Sequence, residues 1–216
     1  MKFLSTLFIL CLSIVSTGVK AQQFPSKVWH TGELTLNDRT LIKGALKYDF
    51  ERETVQMQVD ETTQTYDASQ VLSFVFFDDI FKLKREVYSL PYATQSGYQR
   101  PKFFEVIVEG KMTFLVREYM VTQAAANNPS MRQIGVYGNL PMNTNSQDYL
   151  AFSMYFLKED GMIRESRAKK KDIISQFDGD HTQLKKYVKK EKLKLDRLED
   201  IAKLVEFYNN EIGNKD

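Results

Sequence analysis

The sequence predicts a mainly β (α+β) fold, an antiparallel sandwich or partly open barrel of about eight to ten strands followed by a short C-terminal helical segment. Three observations predict it. Between residues 28 and 121 apolar side chains recur at alternate positions and turn formers interrupt them at short intervals, the pattern of half-buried antiparallel strands. From residue 173 onward the apolar spacing becomes three and four, the stripe of an amphipathic helix. Composition agrees, since 43% hydrophobic and 27% charged residues among 216 exclude a disordered or collagen-like chain.

Residues 1–21 carry Lys2, an apolar run over residues 3–15 and a Val19-Lys20-Ala21 ending, the layout of a secretory signal peptide. The run is too short to cross a bilayer as a stable helix, so the mature chain is expected to have no transmembrane span and to be exported: periplasmic, associated with the outer envelope, or secreted. Cys11 is the only cysteine, so cleavage after Ala21 leaves a thiol-free chain whose stability must come from its core. Cleavage also removes Lys2 and Lys20, leaving 28 basic and 28 acidic residues and a formal charge of zero.

The β domain is expected over residues 22–166. Leu34 and Leu36 share one face, and Asn37-Asp38 turns the chain. Ile42, Leu46 and Tyr48 point inward, and Gly44 marks a close backbone approach. Val55, Met57 and Val59 repeat the alternation, whereas residues 71–77 (VLSFVFF) are apolar on both faces and belong in a central strand. After an irregular stretch over residues 88–101, strands at 103–108 and 112–121 are joined through Gly110, where a positive φ is expected. Residues 149–157 and 162–166 form a last pair around Asp160-Gly161.

The helical segment is expected over residues 167–216, packed on the β domain. Ile173, Ile174 and Phe177 form a short stripe, Leu184, Tyr187 and Val188 a second, and Leu198, Ile201, Leu204, Val205 and Tyr208 a third, with Asp180 and Asp196 as N-caps. Packing of these helices on a partner subunit is the other arrangement open to them. An outer-membrane barrel is disfavoured by strands with one polar face (Lys43, Lys47, Gln56, Gln58) and by the helical ending.

Residues 28–49 (VWHTGELTLNDRTLIKGALKYD) and 184–209 (LKKYVKKEKLKLDRLEDIAKLVEFYN) resemble the two ends of uncharacterised exported β-rich proteins of Bacteroidetes-type Gram-negative bacteria. Trp29, Gly32, Leu36, Gly44, Tyr48, Asp49, Tyr208 and Asn209 carry the resemblance. It implies export and assigns no activity and no site.

No catalytic, cofactor-binding or metal-ligating set is legible, and no cofactor is expected. His30 and His181 are the only histidines and neither has a nucleophile or ligand partner nearby in sequence. Asp178-Gly179-Asp180 lacks the spacing of a calcium loop and reads as a helix stop followed by a cap. Asp78-Asp79 reads as a strand end, because glycosidase carboxylates face each other from separate strands. A hydrolase or lyase acting on glycan or peptide would need Asp78 or Asp79 to meet Glu105 or Glu118 in the fold. Residues 168–194 hold nine lysines against four acids and no arginine. They read as a solvated helix face that is also attracted to the acidic strand region, and no nucleic-acid partner is implied. Tyr88, Tyr92, Tyr98 and Tyr137 fall in two loop-like stretches and form a candidate ligand rim, since aromatic faces stack on sugars and peptides. The leading expectation is therefore a non-enzymatic envelope binding or structural module whose partner is an envelope protein or a glycan.

Overall fold

The computed structural model describes residues 24–93, 97–122 and 148–213. The expected signal peptide and Tyr137 lie outside them. After one 3-10 turn at Pro25–Lys27 come ten strands: β1 (His30–Leu36), β2 (Leu41–Asp49), β3 (Thr54–Val59), β4 (Thr62–Asp67), β5 (Val71–Asp78), β6 (Leu83–Ala93), β7 (Gln99–Val108), β8 (Thr113–Thr122), β9 (Asp148–Leu157) and β10 (Ile163–Ser166). Helices α1 (Lys170–Ile174), α2 (Thr182–Lys190) and α3 (Leu198–Phe207) follow, and a wider turn over Tyr208–Ile212 ends the described chain. No described helix is long and apolar enough to cross a membrane.

All ten strands form one antiparallel open sheet in the order β10-β9-β8-β7-β6-β5-β1-β2-β3-β4. The order requires a roll. Strands β4 and β5 lie four places apart, which in a flat sheet is ~19 Å at the usual strand spacing. Only residues 68–70 connect them, a reach of at most ~14 Å. Strands β1 to β4 therefore curl until β4 ends beside β6, where the Ser89 hydroxyl donates to the Ala68 carbonyl at 2.5 Å and Ala68 N–H donates to the Glu53 carbonyl at 3.0 Å. Leu34, Leu46, Tyr48, Val55, Met57, Phe74, Phe76 and Phe103 fill the roll. The apolar strand β5 is central in the sheet order, between β6 and β1, but only one of its faces is buried, through Phe74 and Phe76, whereas Phe77 on the other is 45% exposed.

Gly44 permits the tightest part of the curl. It faces Gly32 across β1 and β2, and a Cβ at 44 would run into the Gln58 carbonyl of β3. Gly44→Ala is expected to cost about 1–3 kcal/mol, the usual range for overpacking, read as a lower urea midpoint at unchanged m-value.

The same face of β7, β8 and β9 is covered by the helices. Met112, Phe114, Phe152, Met154 and Phe156 pack against Ile173, Ile174, Phe177, Leu184, Val188, Leu198, Ile201, Leu204 and Val205 in one buried cluster. The three apolar stripes thus meet the chain's own sheet and not a partner subunit. Polar contacts fasten the segment as well, Asn209 to the Met112 backbone and Lys158 to Asp178 at 2.6 Å, but the nine lysines of residues 168–194 take no part: all are exposed, and of them only Lys190 is seen within ion-pair distance of an acid, Glu191 at 3.4 Å. Neither expected cap stands at the N-cap: Asp180 precedes His181, which holds that position in α2, and accepts from Thr182 N–H at 2.9 Å, and α3 starts after Arg197 without a side-chain cap.

Gly110 has the positive φ expected of it (159°), and a Cβ there would also strike the Asn209 side chain. One further local expectation changes: residues 88–93 and 99–101 are not irregular, because β6 and β7 pair through them as a ribbon. Pairing of β5 with β6 ends at Ser73↔Tyr88 and pairing of β7 with β8 ends at Glu105↔Val116, so the ribbon outruns both neighbours. Pro91 sits opposite Pro101 in it. The backbone of Phe103 bonds away from β6, and by alternation Pro101 and Pro91 also face outward. The two prolines therefore remove donors from the free edges while leaving the ribbon's own ladder intact.

Candidate functional site

The carboxylates whose convergence would signal an enzyme do converge, around a cation that sequence reasoning missed. Asp78 ends β5, Glu105 lies in β7 and Glu118 in β8, and all three meet the Arg85 guanidinium from β6. Arg85 Nε and Nη2 donate to the two oxygens of Glu105 at 3.0 and 2.6 Å. Nη2 also donates to Glu118 Oε2 at 3.0 Å, and Nη1 donates to Tyr48 Oη at 2.8 Å and Asp78 Oδ2 at 3.1 Å. A guanidinium has five N–H groups, and every one is engaged.

Every member is buried, with Arg85 at 1% exposure and Glu118, the most exposed carboxylate, at 5%. One cation facing three carboxylates leaves negative charge in excess. Glu118 absorbs it: burial pushes its carboxyl above the usual glutamate range, against the opposing pull of Arg85, so it holds its proton more tightly. Burial likewise raises the Tyr48 hydroxyl well above its ordinary value. Asp78 has a second duty, accepting from Ile80 and Phe81 N–H at 2.9 and 3.1 Å, which caps the turn into β6. Asp79 is exposed and pairs with Lys82 at 3.4 Å. The Arg85 cluster joins the rolled core to the helix-covered core; each of its carboxylates bonds Arg85, and Glu118 keeps its buried Oε1 without a hydrogen-bond partner among the described residues.

A different set of residues forms a concavity. Beyond Glu105 and Val116, β7 and β8 diverge, and the turn between β2 and β3 reaches into the gap. Glu53 stands in for a strand partner: its Oε2 accepts from Phe103 N–H at 2.9 Å. Arg117 completes the bridge, donating to the Phe103 carbonyl at 2.5 Å, the Phe50 carbonyl at 2.6 Å and Glu53 Oε1 at 2.6 Å. Above this plug lies a cleft of about 310 Å³ lined by Phe50, Glu51, Glu53, Lys102, Arg117, Glu118, Tyr119, Ser153 and Tyr155.

Lys102 is the cleft's unbalanced charge. Its ammonium lies 3.9 Å from Glu53, whose oxygens already serve Arg117 and Phe103, and 5.5 Å over the Tyr92 ring. Burial and the nearby Arg117 lower its pKa, so the protein does not fully compensate the ammonium. Beside it Tyr92, Phe104 and Tyr155 form an edge-to-face cluster with ring separations of 5.1 to 5.7 Å. Burial, reinforced by Glu165, pushes the Tyr155 hydroxyl up to about 12.

The proposed tyrosine rim is placed as follows. Tyr92 borders the cleft through Lys102 and Tyr155. Tyr88 lies on the same face of β6 two pleats away, its hydroxyl donating to Glu86 at 2.7 Å. Tyr98 is 71% exposed near the ribbon tip, and Tyr137 lies outside the described residues. His30 opens β1, buried against Phe76 with ring centroids 4.7 Å apart, and its Nε2 donates to the Pro25 carbonyl at 2.8 Å. Among the described residues no cluster of three metal-ligating side chains occurs. Compared with protein-family models, curated proteins and solved structures, the chain matches none.

Proposed function

We propose that the chain is an exported, non-enzymatic binding module of the cell envelope and that its ligand, from an envelope protein or a glycan, sits in the cleft between β7 and β8. One observation carries this reading: the acidic groups suited to acid–base work are buried and each is bonded to Arg85, while the cleft keeps a cation whose nearest carboxylate is 3.9 Å away, beside aromatic rings. The cleft sets charged and polar groups (Glu51, Glu53, Lys102, Arg117, Glu118, Ser153) beside three aromatic rings (Phe50, Tyr119, Tyr155), a concave lining suited to a polar ligand with an apolar part. The export signal expected at residues 1–21 supports the location. Hydrolysis of glycan or peptide by Asp78, Glu105 and Glu118 is the second reading, favoured by their convergence and opposed by their burial.

Ser153 lines the cleft half-buried and takes no part in the Arg85 cluster. Ser153→Phe is expected to fill the cleft and weaken binding of short peptides or oligogalacturonate by roughly tenfold or more, a loss of about 1.4 kcal/mol, with little change in thermal midpoint. Titration calorimetry on both proteins checks this, and unchanged affinity in the phenylalanine variant removes the cleft from the account.

A further inference from the structure

The cleft has an open end and a closed one. Phe50, Glu53 and Arg117 close it toward Phe103, and 310 Å³ is near the lower end for ligand pockets. A chain running through has no exit, whereas the last residues of a chain fit.

The two walls differ in what they offer a backbone. Glu105 pairs with Val116 in the last rung before the strands part. Alternation then turns the N–H and C=O of Glu118 and Met120 toward the side where β7 no longer pairs with β8, and of the two Glu118 lines the cleft. On the opposite wall Pro101 occupies the matching outward position and has no N–H. An entering chain therefore finds in β8 an edge to pair with, and the ribbon does not compete for it.

At the closed end Arg117 is held by Glu53 and two carbonyls, and Glu118 is held by Arg85 through Oε2 alone, its Oε1 being without a partner among the described residues. Lys102 keeps bonding capacity, and it lies in β7 next to Phe103, where the cleft closes. The geometry points to a peptide C-terminus as the ligand: a short extended segment adds to β8, its terminal carboxylate meets Lys102 Nζ, and its last side chains lie against Phe50 and Tyr155. Strand addition and capture of a terminal carboxylate are both established modes of peptide recognition. The inference rests on the cleft being the ligand seat.

The test uses the full mature chain and three probes: a mixture of N-acetylated tetrapeptides with free C-termini, the same mixture amidated at the C-terminus, and oligogalacturonate. Amide hydrogen exchange reports the site, and titration reports affinity. The free-acid mixture is expected to protect the Glu118 and Met120 amides, and the amidated mixture to bind roughly tenfold more weakly, as loss of a charge-assisted bond implies. Lys102→Met is expected to reproduce that loss for the free acids and Lys102→Arg to recover most of it, with thermal midpoints near that of the unaltered chain. Equal binding of both mixtures, or full affinity in Lys102→Met, overturns the inference. Protection of the cleft by oligogalacturonate alone overturns it too but leaves the cleft as the ligand seat, whereas protection by none of the probes removes both.

Discussion

Arg85→Met is expected to destabilise the protein by about 3–5 kcal/mol, the range for breaking a buried ion pair from one side. Methionine fills much of the volume but leaves Asp78, Glu105 and Glu118 buried without a cation. Urea unfolding of the purified variant measures the loss, and a cost below 1 kcal/mol would mean that the five hydrogen bonds to Arg85 are not formed in solution. The same cluster sets a pH dependence. Glu118 has a folded pKa above its unfolded one, so the folded state binds the extra proton. Its contribution is fully present below the ordinary glutamate pKa and is lost as pH rises through the raised folded value. Stability should therefore fall with rising pH from about 4.5, and Glu118→Gln, which cannot titrate, should flatten that limb. An unchanged slope in Glu118→Gln would place the titration elsewhere.

The second large effect is expected at Asn209, where the helices are fastened to the sheet. Its Oδ1 accepts from Met112 N–H and its Nδ2 donates to the Met112 carbonyl, both at 2.9 Å, so one amide side chain serves as a strand partner for a buried residue. Asn209→Ala leaves both backbone groups unpaired, at about 1–3 kcal/mol each when buried, an expected loss of ~2–6 kcal/mol. The Asn209 amide occupies the space that a Cβ on Gly110 would need. Gly110→Ala should thus be costly alone and much cheaper in the Asn209→Ala background. A double-mutant cycle with additive costs would contradict this coupling.

Both predictions depend on contacts between residues far apart in sequence, and that separates what was legible from what was not. Strands β1, β2 and β3 follow from alternation, β5 from its continuous apolar run, and α2 and α3 from their stripes, because each pattern reports a surface that must be buried. The ribbon of β6 and β7 was obscured by Pro91 and Pro101, which break a strand signal without breaking a strand whose outer edges need no donors. Arg85 was hidden between Lys84 and Glu86, where it passes for part of a polar face. Its signal was phase, since it shares a face with Val87, which is fully buried. Asp78, Glu105 and Glu118 were legible as the acids to watch, but their meaning reversed once the cation was found. The cleft was not legible, because Lys102 and Arg117 acquire their roles only when the turn holding Glu53 crosses to the gap between β7 and β8.

The central claim is that the carboxylate cluster is structural and that ligand binding takes place in the cleft. Glu105→Gln separates the two most directly, because it weakens the bidentate pair with Arg85 without altering a cleft residue. Affinity for peptide and oligogalacturonate probes and their cleavage are to be compared in the variant and the unaltered chain at a temperature where both are folded. The account predicts a less stable variant with unchanged affinity and no cleavage by either protein. Cleavage by the unaltered chain that disappears in Glu105→Gln would contradict it.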